Sequence, residues 1–246
     1  MKKIAIPLAR IILISIILFT GYTLYQTKIV EVNKQQEQID IFEKRIELKE
    51  ESPSTLQEKM QGILYIPDIN LNITIYKGTS EEEIRNGVGI LEGTGTLTPT
   101  NNQNVVLTSH NGDSKRDLFI NLEKLTTTQY FYTKDKANNI VKYKIVEKQV
   151  VEPKDLLNTL EERTAKTPQM TLVTCTPLGI NSHRLFIRGE QVEYNPTLQP
   201  IPKGNPTLSK FEKQMLVRAG IAFIMLLFTI DTKKKKGDNK SNEKTN

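Results

Sequence analysis

The middle of the chain alternates between short apolar runs and polar turns, which is the pattern of a β-rich domain. Seven runs indicate strands, because they are either continuously apolar or alternate with period two. They are residues 63–66, 71–76, 104–108, 130–133, 140–151, 170–175 and 184–194. Residues 81–86, 117–125 and 154–160 have the composition of short connecting helices. Strands of this number and spacing predict a closed barrel or a sandwich.

A helical pattern precedes the strands. Four apolar residues recur at helical spacing within the otherwise polar residues 31–60, namely Val32, Ile39, Phe42 and Ile46. They predict a helix or stalk. A second helix is expected to begin at Ser54, because Gln57 three residues later completes a capping-box pattern, and to end at Gly62.

Both ends of the chain carry apolar segments. From Ile4 to Tyr25 the only charge is Arg10, and about 20 apolar residues can cross a bilayer. No small-x-small cleavage site follows, which favours an uncleaved anchor over a signal peptide. Residues 213–231 form a second apolar segment with a charge-free part of only residues 219–230. A second span and a buried or interfacial helix are both compatible with that length.

The positive charge of the chain is concentrated beside these apolar segments. The net charge is +6, yet residues 31–210 contain 22 Lys and Arg against 24 Asp and Glu, which is 22 − 24 = −2. No basic stripe is left for phosphates, so a nucleic-acid partner is not expected. Lys2, Lys3 and residues 233–236 flank the outer ends of the two segments, which predicts both termini in the cytoplasm and the middle of the chain outside the membrane.

The single cysteine is the first candidate for chemistry. Cys175 ends a strand next to a loop. An unpaired thiol in an extracellular domain calls for an explanation. It is either a buried structural thiol or a nucleophile presented at a strand end.

Two histidines and an arginine accompany it. His110 ends another strand before a turn, where a surface turn-capping role is the alternative to acid–base work. His183 and Arg184 are adjacent in a third strand and therefore point to opposite faces, so only one of them is expected to face the thiol. For Arg184, an ion pair at the barrel rim is the ordinary alternative. The sequence has no Cys/His cluster with metal spacing and no glycine-rich phosphate loop, so neither a metal nor a cofactor is expected.

Residues 171–175, Thr-Leu-Val-Thr-Cys, resemble the T-L-x-T-C signature of sortases, the cysteine transpeptidases of Gram-positive cell surfaces. The longer run through Gly189 is similar to the class C, or pilus, branch of that family. Four upstream motifs fit in order, at residues 62–67, 75–79, 87–94 and 118–122. The resemblance covers roughly residues 60–194.

The resemblance implies a closed eight-stranded sortase-type β-barrel with short helices, flanked by N- and C-terminal transmembrane helices. It implies Cys175 as nucleophile, His110 as the catalytic histidine and Arg184 as the catalytic arginine, with no catalytic role for His183. The implied partners are the membrane, a surface protein or pilin with a C-terminal Leu-Pro-x-Thr-Gly-like sorting signal, and an amine acceptor. That acceptor is a pilin lysine or a lipid-linked cell-wall precursor.

With this resemblance the chain divides into six parts. They are a tip and anchor at 1–27, a helical stalk or lid region at 28–60, the catalytic barrel at 61–196, a linker at 197–212, a second transmembrane helix at 213–231 and a basic tail at 232–246.

Three positions depart from the family pattern. Ser109 precedes the histidine where Gly is usual, and Leu178 replaces a usual Tyr. Where pilus sortases often carry an Asp-Pro-aromatic lid, residues 52–54 are Ser-Pro-Ser, which predicts a weakly held segment if any. A membrane-tethered cysteine protease and a non-catalytic surface scaffold are the alternative functions. Papain-type proteases, however, place the histidine after the cysteine in the chain, whereas His110 precedes Cys175.

Overall fold

The computed structural model describes residues 2–26, 30–48, 55–99, 103–112, 118–161, 167–202 and 214–227. The chain separates into two compact units, one made of residues 1–30 and 208–246 and the other of residues 31–207. In the first unit, helix α1 (Lys2–Tyr25) contacts a helix at residues 214–227, where the Thr23 hydroxyl lies 3.7 Å from the Met215 sulfur. Within the described residues, none of the helices combines the length and apolarity that a membrane span requires.

The second unit is built on eight strands. They are β1 (Met60–Ile66), β2 (Leu71–Lys77), β3 (Val88–Ile90), β4 (Asn104–Thr108), β5 (Tyr130–Asp135), β6 (Ile140–Val151), β7 (Gln169–Thr176) and β8 (His183–Val192). They close into a barrel in the order β1-β2-β3-β4-β7-β8-β6-β5. The predicted closed eight-stranded barrel is therefore confirmed. Two neighbouring pairs, β2–β3 and β4–β7, are parallel, and the other pairings are antiparallel.

Each strand contributes every second side chain to the barrel interior. Leu64, Ile73, Leu107, Leu172 and Ile187 belong to this core and are all fully buried. Because side chains alternate along a strand, the intervening residues face outward. On β4, β7 and β8 the outward set includes Val106, Val173 and Phe186, which form a separate buried cluster with Leu160.

Among the described residues of this unit, four α-helices accompany the barrel. They are α2 (Glu31–Leu48), α3 (Thr55–Glu58), α4 (Glu81–Asn86) and α5 (Leu156–Glu161). Helix α2 covers the outer face of β1 and β2, where Ile39 and Phe42 are buried against Met60, Ile63 and Tyr76. Lys134 on β5 adds an ion pair to Glu43 of this helix at 3.0 Å.

Two local predictions were wrong, and one strand was missed. The helix expected to end at Gly62 stops at Glu58, and Gly62 lies inside β1, where a Cβ atom would meet the Lys134 carbonyl oxygen at 2.2 Å. The helix expected at residues 117–125 is a 3-10 turn at Leu122–Lys124 in its described part. Strand β3, three residues long, was not predicted, because so short a run carries no periodicity. Residues 52–54 lie outside the described residues.

Candidate active site

The cysteine and the arginine meet on neighbouring strands. Cys175 near the end of β7 is the cross-strand partner of Arg184 near the start of β8. Directly opposite residues of an antiparallel pair project to the same face with their Cβ atoms about 5 Å apart. Both side chains are partly exposed, and the thiol is free. The Arg184 guanidinium donates through Nη1 to the carbonyl oxygens of Asn181 at 3.1 Å and His183 at 3.0 Å. The sheet thus holds a cation beside an accessible thiol.

The histidine reaches the same place from β4. Strand β4 runs parallel to β7 with Thr108 paired to Val173, and the Ser109 amide continues this register by donating to the Val173 carbonyl at 3.3 Å. His110 follows Ser109 just beyond the end of β4, at the same end of the barrel as Cys175 on β7 and Arg184 on β8.

His183 stands apart from this group. It pairs with Thr176 and is exposed, and strand alternation directs it to the face opposite Arg184. Its Nδ1 lies 2.8 Å from the Ser182 hydroxyl. This geometry agrees with the expectation that only one member of the His183–Arg184 pair shares a face with the thiol.

The outward face of the sheet that carries the site continues into a buried apolar cluster. Val173 precedes Cys175 by two residues on β7 and Phe186 follows Arg184 by two on β8, so both share its face. They pack with Val106, and Leu160 of α5 closes the cluster. Arg188 fixes α5 here by donating to the Thr159 carbonyl at 2.7 Å. Helix α5 therefore covers the apolar side chains that lie behind the thiol, and all four are at most 7% exposed.

Sequence reasoning missed an acidic partner of the histidine. His110 Nε2 lies 3.2 Å from Oε2 of Glu81, the first residue of α4. The other oxygen of this carboxylate accepts from Arg85 Nε at 3.0 Å and Nη2 at 2.9 Å. The hydrogen bonds from Arg85 and then that from His110 hold the pKa of the Glu81 carboxyl below its usual range. No signal in one sequence marks this contact, because the two residues are 29 positions apart.

Helix α4 is itself anchored by a buried carboxylate. Glu83 is buried and bonds the Lys59 ammonium at 2.5 Å and the Ser80 hydroxyl. Burial would raise the pKa of Glu83, but the hydrogen bonds from Lys59 and Ser80 outweigh it and lower the pKa. The Ser-x-x-Glu spacing of residues 80–83 is a capping-box pattern that could have indicated an anchored helix start.

Ser109, which replaces the glycine common in the family, ties the site to the other end of α4. Its hydroxyl donates to the Gly87 carbonyl at 2.6 Å and lies 3.3 Å from the Ile84 carbonyl. The Ser109 carbonyl accepts from the Thr174 hydroxyl at 2.9 Å. The residues preceding His110 and Cys175 are thus bonded to each other. Among the described residues, no group of three or more His, Cys, Asp and Glu is arranged to hold a metal ion.

Comparison with known proteins agrees with this fold. The model of the sortase domain family matches residues 64–192. Sortase A of Streptococcus agalactiae is 30% identical over 159 residues, which are 61% of this chain and 62% of that protein. The match thus spans less than two thirds of this curated relative.

Solved structures are similar to the same region. Sortase C1 of Streptococcus suis has a TM-score of 0.54 at 30% identity, over 64% of this chain and 82% of that one. Sortase C2 of Group B Streptococcus Pilus Island 1 has a TM-score of 0.52 at 30% identity, over 65% of this chain and 98% of that one.

The barrel with its strand-end thiol therefore has the architecture of a sortase domain. Because the sortase-domain match includes just over half of the 246 residues, the chain belongs to the sortase family.

Proposed function

We propose that this protein is a membrane-anchored cysteine transpeptidase of the class C type. It cleaves a Leu-Pro-x-Thr-Gly-like sorting signal between Thr and Gly and transfers the new carboxyl end to an amine. The observation that carries this proposal is the placement of Cys175 opposite Arg184, with His110 at the end of the adjoining strand.

The chemistry proceeds by two acyl transfers. The Cys175 thiolate attacks the threonine carbonyl, and Arg184 stabilises the resulting oxyanion. Its guanidinium stays protonated, and therefore positively charged, at the working pH. His110 protonates the leaving glycine amine, which breaks the peptide bond and leaves a thioester. An incoming amine then attacks the thioester, gives its proton to His110 and releases the thiolate. A new amide is formed, and neither a cofactor nor a net change of oxidation state is needed.

A pilin lysine and a lipid-linked cell-wall precursor both supply the required amine. The pilus origin of the similar sortase C2 supports the first acceptor.

We further propose that the apolar ends of the chain hold the enzyme at the membrane with both termini in the cytoplasm. Helix α1 exposes large apolar side chains such as Ile12, Leu18 and Phe19, and the chain carries Lys233–Lys236 after its second apolar segment. The contact of Thr23, near the end of α1, with Met215, near the start of the helix at 214–227, supports an antiparallel pair. Such a pair puts the outer ends on one side. Reporter fusions after Asn246 test this topology, and an extracellular signal there contradicts it.

The activity is tested on the full chain in detergent with a sorting-signal peptide and an added amine. We expect release of the glycine-terminated fragment together with an amide product that contains the added amine. Cys175→Ala should abolish both products while the thermal unfolding temperature stays unchanged. Turnover by this variant at the wild-type rate contradicts the mechanism. Release that gives only the free acid, whatever the amine concentration, indicates a protease instead.

A further inference from the structure

We propose that Glu81 is a positioning residue for His110. Its carboxylate fixes the neutral imidazole as the Nε2–H tautomer and leaves Nδ1 as the atom that exchanges protons with the reacting amines. This inference rests on the proposed function and assigns a role to a residue outside the cysteine, histidine and arginine of the site.

The donor and acceptor roles follow from the chemistry of the pair. An ionised carboxylate only accepts hydrogen bonds, so at 3.2 Å His110 Nε2 must carry the proton. The hydrogen bonds from Arg85 keep the Glu81 carboxyl ionised by favouring its charged form. With Nε2 occupied, the second ring nitrogen is the one left for proton transfer.

The element that carries Glu81 is held in place independently of this contact. Glu83 on the same helix is buried and paired with Lys59, and the Ser109 hydroxyl bonds the Gly87 carbonyl just beyond the end of the helix. Since Ser109 also precedes His110 in the chain, helix and histidine share one hydrogen-bonded frame. Because the Glu81 side chain is held by this hydrogen-bonded frame, it can orient the His110 ring, which lies beyond the end of β4.

Both halves of the reaction need this arrangement. In the first step the imidazolium gives the Nδ1 proton to the leaving amine and becomes the neutral Nε2–H form. In the second step the Nδ1 lone pair takes a proton from the incoming amine. If the neutral ring carries its proton on Nδ1 instead, this nitrogen cannot act as the base, and the acceptor step slows.

A conservative substitution separates this role from simple packing. The glutamine of Glu81→Gln has only one acceptor oxygen. Arg85 can only donate and therefore engages that oxygen, which turns the amide NH₂ toward His110. A donor facing Nε2 favours the opposite, Nδ1–H tautomer. The substitution thus keeps size and shape but reverses the proton position on the ring.

The matched control is Glu82→Gln. Glu82 is exposed on the same helix and loses the same charge on substitution, and it is not bonded to His110 within the described residues. A wrong tautomer in a buried triad costs about 10⁴-fold in kcat. Here the His110 and Glu81 side chains are 44% and 59% exposed, so water competes with the contact. We therefore expect Glu81→Gln to lower kcat about tenfold with KM unchanged, and Glu82→Gln to change kcat less than about twofold.

The tautomer is read directly from the ring nitrogens. The chain has only two histidines, so ring-¹⁵N histidine labelling of the full-length protein on a His183→Gln background reports His110 alone. The spectra are recorded at a pH where the ring is neutral. We expect the Nε2–H form to dominate in the His183→Gln protein and in the same protein with Glu82→Gln added. Adding Glu81→Gln instead should increase the Nδ1–H form.

The two readouts separate this inference from the proposed function. Equal kcat and equal ring-nitrogen spectra for Glu81→Gln and Glu82→Gln overturn the inference even when the enzyme is fully active. A change of kcat without a change of tautomer also overturns it, because the effect of Glu81 is then not exerted through the ring. If the wild-type protein transfers no sorting-signal peptide at all, the proposed function fails, while the spectra still decide whether Glu81 sets the tautomer.

Discussion

Cys175 and Arg184 are cross-strand partners in the antiparallel pair β7–β8. Their spacing is therefore set by backbone hydrogen bonds rather than by a flexible loop. The Arg184 side chain also donates to the carbonyls of Asn181 and His183, which restrains the guanidinium at the start of its strand. A cation restrained in this way can meet an oxyanion with little rearrangement.

Substitution of Arg184 tests whether stabilising the oxyanion requires the several N–H donors of the guanidinium or only its positive charge. We expect Arg184→Ala to lower kcat about 10²- to 10³-fold, as loss of a preorganised oxyanion donor does. Arg184→Lys should recover only part of that loss, because all donors of an ammonium are on one nitrogen, whereas the guanidinium can hold both carbonyls through Nη1 and present its other nitrogens to the oxyanion. Steady-state kinetics with a sorting-signal peptide measure both, with thermal unfolding as the check on folding. Wild-type kcat for Arg184→Ala would remove the arginine from the mechanism.

The choice between the two histidines is tested by a paired substitution. His110→Ala should cost several orders of magnitude in kcat, because it removes the acid and base of both acyl transfers. His183→Ala should cost less than about tenfold, because this exposed side chain faces away from Arg184 and is hydrogen-bonded to Ser182. The reverse ranking in the same assay would mean that the acid–base residue has been misassigned.

The buried Glu83 carboxylate should stabilise the fold in a pH-dependent way. We expect Glu83→Gln to lower the free energy of unfolding by about 1–3 kcal/mol near neutral pH, because Lys59 and Ser80 lose their charged partner. The pKa of Glu83 is lowered in the folded state, so its contribution is complete above the ordinary value of 4.5 and is lost as the pH falls through the lowered pKa.

Urea unfolding of wild type and Glu83→Gln over a pH series measures this effect. The difference between the two should be largest at neutral pH and should shrink in acid. The exposed Glu82→Gln serves as the control and should show a much smaller difference. If the difference in unfolding free energy between wild type and Glu83→Gln instead increased as the pH falls, stability would depend on pH with the opposite sign, and the prediction would be wrong.

Helix α2 should contribute to the stability of the barrel. Phe42 is 1% exposed and packs on Met60, Ile63 and Tyr76, so Phe42→Ala should cost about 3–5 kcal/mol of unfolding free energy. Glu37→Ala, at an exposed position of the same helix, should cost less than about 0.5 kcal/mol. Equal stability of the two variants in urea would mean that α2 does not stay on the barrel in solution.

Most of the barrel could be predicted from the sequence because its strands carry their own periodicity. Residues 140–151 form β6 as predicted, and residues 81–86 form α4 as predicted. Gly62 shows where such reasoning stops. A glycine after a helical pattern resembles a helix end, but here it is needed because β5 approaches β1 too closely for a side chain. That approach exists only once the sheet has closed.

The residues of the candidate site likewise include some that the sequence indicates and some that it does not. Cys175 and Arg184 could be proposed because they lie in one local motif, and His110 because it ends an apolar run and the resemblance also singles it out. Glu81 was not found, since its contact with His110 depends on how α4 folds back on the end of β4. The sequence also gives no hint that Ser109 would use its hydroxyl to hold the segment around Gly87.

The parallel pairing of β4 with β7 also determines when the site can exist. It brings together Ser109 and Thr174, which are 65 positions apart, and with them the histidine and the thiol. Contacts of such long range require a costly loop closure and form late in folding. While the ribosome is still making β5 and β6, the histidine is already synthesised, but the nucleophile is not. A growing chain that has not yet reached β7 therefore lacks the thiol, and the candidate site can assemble only once β7 has paired with β4.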